Sequence, residues 1–223
     1  MTTPLGTELA RIGQLQAHLP DPVVVVLGVV ALGAALLEDI WRVLRHLVTL
    51  VHEGTHATVH SAIGHRVVGV TVKRDGTGAT AFAGGPSFVS LLLGYMGPSL
   101  FGLLAAALIR SGHIVAVLWL AMALLLCMLI VVRTAFGYLL VVGFGVLIFV
   151  VAAYTSIGAQ VVAAYVIAWF LLMSGIRVIR EHGRNADDAS QLRNLTRVPS
   201  GFWSFFWFVA SLAALGFGAT LLV

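Results

Sequence analysis

His52-Glu53-Gly54-Thr55-His56 lies in an otherwise apolar run, Leu47-Val48-Thr49-Leu50-Val51 before it and Ala57-Thr58-Val59 after it. On a helix, residues four apart share a face, with their Cβ atoms about 5–6 Å apart. Two imidazoles so spaced can hold one Zn²⁺, and the glutamate beside the first can take a proton from water as general base. The pattern is short, but its setting adds to it. An ionisable residue inside a segment apolar enough to enter a bilayer is costly and by default marks a functional site. The plainer alternative is a helix whose polar residues pair across a bundle for packing.

Composition places the motif in a membrane. The 223 residues are 60% hydrophobic and 10% charged, with mean hydropathy +1.02. Soluble domains carry about 25% charged residues, so a polytopic, multi-pass protein of the cell membrane is expected, its partner the lipid bilayer. The net charge of +4 comes from scattered arginines with no aromatic residues interleaved. That is a topology signal, and no nucleic-acid partner is expected. Cys127 is the single cysteine, which excludes an intrachain disulfide and a cysteine-rich zinc site.

Residues 1–20 lack the charged start, apolar core and cleavage site of a signal peptide. Leu5, Leu9, Ile12, Leu15 and Leu19 recur at helical spacing behind Thr3 and Pro4. They predict an amphipathic N-terminal helix over 1–20 lying on the membrane surface, or a packed N-terminal arm. Residues 21–223 then form a single transmembrane domain. Its apolar runs fall at about 23–37, 87–109, 113–132, 137–154, 159–176 and 202–223, with the motif helix at about 41–63. Carrying His46, His52, Glu53, His56 and His60, that helix cannot face lipid all round. The expected fold is an all-α polytopic membrane protein with about seven hydrophobic helices, the motif helix included, and a small β-hairpin after the second.

The hairpin is read from β-branched Val67-Val68-Gly69-Val70-Thr71-Val72, turn chemistry at Asp75-Gly76-Thr77-Gly78, and Ala79-Thr80-Ala81-Phe82. It is either a connector or a strand edge offered to an extended substrate segment. Gly94-Tyr95-Met96-Gly97-Pro98-Ser99 allows close helix approach, and its proline can break the span beside a cavity. Residues 177–200 read as one long polar connection, and Trp203, Phe205, Phe206 and Trp207 as an aromatic belt opening the last span.

Alternating the sides over seven crossings puts ten basic residues on one side: Arg11, Arg66, Lys73, Arg74, Arg133, Arg177, Arg180, Arg184, Arg193 and Arg197. Arg42, Arg45 and Arg110 fall on the other. The bias predicts that the N-terminus, the hairpin and the 177–200 loop are cytoplasmic.

A catalytic zinc usually has three protein ligands and an open position, and the motif helix supplies two. His60 lies two turns from His52, too far for one ion to hold both, so it is read as a neighbour of the site or merely packed. His46 lies nearly two turns to the outer side of His52. Glu38 and Asp39 fall at the opposite membrane face on the charge count, and Asp75 has a turn of its own to hold. Asp187 and Asp188 remain, with solvated pairing to Arg184 and Arg193 as the bland alternative.

Taken together, His52-Glu53-Gly54-Thr55-His56, the hairpin ending in Gly84-Gly85, Gly94-Tyr95-Met96-Gly97-Pro98, and Asp188-Ala189-Ser190-Gln191-Leu192 with Leu195-Thr196 resemble the site-2 protease class of intramembrane zinc metallopeptidases. The compact M50B-like branch is the nearer likeness. The resemblance covers about residues 46–203, and it departs from better-studied members in lacking an Asn-Pro-Asp-Gly-type segment and in doubling the loop aspartate. It implies a zinc-dependent endopeptidase that cuts a membrane-spanning protein substrate, with Asp188 as the third metal ligand beside His52 and His56, and Glu53 as the catalytic base. The competing class is a non-proteolytic metal-binding scaffold or transporter. A transporter would carry ionisable residues on several spans, whereas the later spans here are almost free of charge between their ends.

Overall fold

The computed structural model describes residues 6, 9–182 and 187–223, and among them nine α-helices and one hairpin. Helix α1 (Asp21–Leu36) starts behind Pro20 with Pro22 in its first turn, and it ends at extended Leu37. Helix α2 (Glu38–Ala62), which carries the motif, begins at the next residue and is bent 94° from α1. Strands β1 (Val67–Val72) and β2 (Gly78–Phe82) follow, then α3 (Phe88–Gly94), α4 (Gly97–Arg110), α5 (Ala116–Val131), α6 (Ala135–Tyr154), α7 (Ile157–His182), α8 (Asp187–Thr196) and α9 (Ser200–Leu222).

Helix α7 is the central post. Leu172 lies under Gly102 of α4, where a Cβ would come 2.8 Å from its Cγ, and Gly218 of α9 closes on the same leucine. Gly28 of α1 faces Trp169, and Arg177 reaches the Ala35 carbonyl, so α1 and α7 run parallel. The sharp corner after α1 is stapled by that same arginine. Its guanidinium caps the Ala35 carbonyl, pairs with Glu38 at 2.6 Å and with Glu181 at 3.0 Å, and lies 4.6 Å from the centre of the Trp41 ring. A cation at a helix C-terminus and a carboxylate in the next helix's first turn both suit the backbone dipoles there.

This corner changes the expected topology. Helix α2 does not return across the bundle; it stays at the α7 C-terminal end, where Arg45 meets Gly76 of the hairpin turn and Thr55 meets Gly97. The N-terminal segment lies at the other end. Gln16 donates its backbone N–H to Gly112 (2.8 Å) and accepts from the Val115 N–H (3.0 Å), and His18 meets the Tyr165 hydroxyl. Those ties also explain why the helix expected over 1–20, helical at Gly6, Leu9 and Ala10, does not run on through Leu15 and Leu19. Arg11–Gly13 make a single 3-10 turn and residues 14–20 have no helix, while residues 1–5 and 7–8 lie outside the described residues. The N-terminal segment and the 177–200 region therefore occupy opposite ends, correcting the expectation of one shared side. Arg42 and Arg45 join the basic end and Arg11 leaves it. Among the described residues, that end holds ten Lys and Arg side chains, and Arg11 and Arg110 are at the other.

The count of seven spans is not confirmed. Among the described residues, α6, α7 and α9 are each long and apolar enough to cross, and the bent pairs α1–α2 and α3–α4 raise the number to five. Helix α5 has 16 residues, about 24 Å of rise against a hydrocarbon core of about 30 Å. The 87–109 run breaks at Tyr95-Met96 with a 68° bend, as its Gly-Pro sequence suggests. The expected 177–200 loop is largely helical. Helix α7 continues to His182, and α8 starts with Asp187 and Asp188 in its first turn, where carboxylates favour a helix N-terminus.

The hairpin matches its sequence reading, with Val70 opposite Thr80 and Val72 opposite Gly78. Asp75 accepts from the Thr77 hydroxyl (2.6 Å) and amide (2.9 Å), which holds its carboxyl below the usual range, and Gly76 supplies the left-handed residue of the turn with φ +81°. The outer edge of β1 is tied down. Val70 accepts from the Arg133 amide at 2.8 Å, and Thr134 bonds both polar groups of Val72 while capping α6. Among the described residues, β2 pairs only with β1 in its sheet.

Candidate metal centre

Three elements bring the candidate site residues together. Helix α2 carries His52, Glu53 and His56, α8 carries Asp188, and β2 closes from the side. His56 Nε2 lies 3.1 Å from His52 Nε2 and 3.0 Å from Asp188 Oδ2, and His52 Nε2 lies 3.4 Å from the same oxygen. Among the described residues this is the one group of three or more such side chains that could hold a metal. The donor set suits a divalent ion such as zinc, because ligand atoms about 2.0–2.1 Å from one centre fall roughly 3.3 Å apart in tetrahedral array. Two imidazole nitrogens and a carboxylate oxygen facing one point also call for a cation or shared protons between them.

Ser90 orients His56. The His56 Nδ1 lies 3.3 Å from Ser90 Oγ, whose own proton goes to the His56 carbonyl. With Nδ1 as donor, the Nε2 lone pair is left for the centre, the usual arrangement around metal-bound imidazoles. Gly94 backs the other side of that ring, and a Cβ there would collide with His56 Cε1 and Nε2. Tyr95 lies edge-on to His52, with ring centres 4.6 Å apart, and stacks on Trp207, whose indole N–H bonds the Leu92 carbonyl at 2.8 Å.

Glu53, His56 and Asp188 are buried, and His52 is partly exposed to the cleft. That cleft has a volume of about 460 Å³ and is lined by His52, Glu53, His56, Asp188, Tyr95 and the length of β2. A larger cavity of about 840 Å³ lies on the opposite, apolar face of α2, against α5, α6 and α7.

Helix α2 thus explains its own composition, with polar residues toward the hairpin and α8 and apolar ones toward the chamber. His60 stays outside the cluster, packed on Phe82 with ring centres 4.1 Å apart and beside His65. His46 braces the hairpin turn through the Arg74 carbonyl at 3.3 Å. Asp187, adjoining Asp188 on α8, is exposed. Ser90 and Thr80 were not singled out from sequence. Thr80 was open to a period-two reading of β2, since Gly78, Thr80 and Phe82 share a strand face, and all three touch α2 side chains.

Two histidines and a carboxylate converge beside a glutamate in a bundle of apolar helices, which defines the class as a membrane protein with a candidate metal centre. The model of the peptidase M50B-like family matches residues 25–218, and the chain belongs to that family. Neither the curated proteins nor the solved structures contain a match to it.

Proposed function

We propose that the chain is an intramembrane zinc metalloendopeptidase acting on membrane-spanning protein substrates, with His52, His56 and Asp188 as metal ligands and Glu53 as general base. The observation that carries this reading is the convergence of two Nε2 atoms and one Oδ2 within 3.4 Å, with Glu53 in the same cleft. Bound there, zinc would supply a Lewis acid that polarises the scissile carbonyl and makes water acidic enough to react near neutral pH. Glu53 takes the proton of the attacking water and returns it to the leaving amine. Its Oε2 accepts from Thr80, which leaves Oε1 as the proton-carrying oxygen. Ser90 keeps His56 in the tautomer that presents Nε2, and the buried setting excludes bulk water.

The free edge of β2 runs along this cleft, so an extended peptide laid beside it passes Glu53. A substrate span must first unwind there, which favours helix-breaking residues near the cut. A transport path would need ionisable groups along several spans. Among the described residues, the buried histidines and carboxylates, His46, Glu53, His56, His60 and Asp188, all belong to α2 and α8.

Elemental analysis of the purified protein tests the ligand set. The wild type and Asp187→Ala should each hold about one zinc per chain, and Asp188→Ala should lose most of it, since a catalytic zinc needs three protein ligands. Full zinc in both variants would remove α8 from the site, and the reverse pattern would shift the ligand by one residue.

The same reading places the basic end, with the metal centre, in the cytoplasm and residues 9–20 outside, because Lys and Arg concentrate on the cytoplasmic side. In a Cys127→Ala background, single cysteines at Arg74 and Ser190 should resist an impermeant thiol reagent in intact cells, while one at Gln14 should react. Labelling of the first two without lysis would reverse the orientation.

A further inference from the structure

The hairpin does more than cover the cleft. His46, Thr49 and Glu53 lie along one face of α2, and each meets the hairpin. His46 Nε2 contacts the Arg74 carbonyl at 3.3 Å, Thr49 donates to the Gly76 carbonyl at 2.7 Å, and Thr80 Oγ1 lies 2.6 Å from Glu53 Oε2. The Thr80 hydroxyl also lies 3.2 Å from the Glu53 carbonyl oxygen. It has one proton to give, and the shorter, charge-assisted bond to the carboxylate is the stronger. Gly78, two residues earlier, lets the strand close in: a Cβ there would lie 2.6 Å from Glu53 Oε1 and 2.7 Å from Thr49 Cγ2.

The strand that carries Thr80 is itself held from behind. Val70 and Val72, which pair with Thr80 and Gly78, are bonded to Arg133 and Thr134 at the start of α6. The hydroxyl is therefore a fixed reference against which a long, three-torsion side chain is set. An unrestrained glutamate in a buried cleft could swing its carboxylate away from the reacting water, and a misplacement of about 1 Å can cost on the order of a hundredfold in rate.

We propose that Thr80 is a positioning residue for the reaction, holding the Glu53 carboxylate through Oε2 and leaving Oε1 as the oxygen that takes the water proton. This rests on the reading of Glu53 as general base, and it makes the hairpin part of the catalytic apparatus as well as a strand edge.

Thr80→Val removes the hydroxyl at nearly constant volume, and Thr80→Ser keeps it. The full-length, zinc-loaded protein is reconstituted in liposomes with a detergent extract of the host's membrane proteins, and fragments are read by mass spectrometry. The protein whose cleavage depends most on the enzyme then serves for kinetics. Thr80→Val should keep its zinc, lose at least about tenfold in kcat with KM within about twofold, and be rescued by Thr80→Ser. With Glu53→Gln already present, Thr80→Val should add no further loss, as expected for a residue acting through Glu53.

A second reading needs no turnover. The infrared carboxylate band isolated by subtracting the Glu53→Gln spectrum from that of its parent should shift in Thr80→Val and not in Thr80→Ser. An unmoved band in Thr80→Val, unchanged kcat, or a loss confined to KM would overturn the proposal, as would failure of serine to rescue. The two readings fail separately: wild-type cleavage by Glu53→Gln would remove the base assignment, whereas the band reports on Thr80's hold on the carboxylate in either case.

Discussion

Gly94→Ala should strip the metal from the His52–His56–Asp188 cluster. The backbone at Gly94 is ordinary helix, so alanine costs nothing in conformation; the obstacle is space. Its methyl would occupy the position of the His56 ring edge, at the atoms Cε1 and Nε2. That ring has no easy retreat, being bonded to Ser90 at Nδ1 and facing His52 and Asp188 at Nε2. Either His56 leaves the cluster or α3 draws away and takes Ser90 with it. Loss of an orienting partner alone typically weakens metal binding 10- to 100-fold, so displacement of the ligand should cost at least about a hundredfold in zinc affinity, with activity falling in step. Gly143→Ala is the control, since nothing lies within 4 Å of a Cβ at that position. Equal zinc affinity in Gly94→Ala and the wild type would mean that the ring is not held where the structure has it.

Much of the site was legible because its chemistry is local. His52, Glu53 and His56 fall within two turns of one helix, and the hairpin declares itself by β-branched alternation and an Asp-Gly turn. The break at Tyr95-Met96 was visible because Gly97-Pro98 follows it. Asp188 is a different case. It lies 132 residues from His56, and residue spacing alone left it level with Asp187; only the resemblance chose between them, and the structure places Asp188 against both histidines.

The corner at Leu37 was not legible. Both sides of it are helical and apolar enough to span, and hydropathy measures how readily a segment enters a membrane without giving its direction. What turns the chain there is Arg177, whose partners Ala35 and Glu38 lie about 140 residues away in sequence. Since the charge count assumed a crossing at α2, one unseen bend moved Arg11, Arg42 and Arg45 to the wrong sides. Helix α8 left a signal that was available: paired acids followed by Leu192 and Leu195 mark a helix start as readily as a solvated loop. Thr80 and Ser90 act on groups far away in the chain, and their positions follow only once the hairpin and α3 are seen against α2.

The largest effect should come from Glu53→Gln. The substitution keeps the shape and removes the capacity to accept a proton, and general-base catalysis is worth about a hundred- to ten-thousandfold. Glu53 is 3% exposed and follows His52 directly on α2, whereas the other carboxylates that line the cleft, Glu181, Asp187 and Asp188, belong to α7 and α8. The most direct measurement compares wild-type and Glu53→Gln proteins, each reconstituted with the same membrane-protein extract and each assayed for bound zinc. If Glu53 is the general base of a zinc peptidase, both hold equal zinc, and fragments of membrane-spanning proteins are produced by the wild type and reduced at least about a hundredfold in the variant. Equal cleavage by the two proteins at equal zinc content, or no cleavage by zinc-loaded wild type, would contradict that reading.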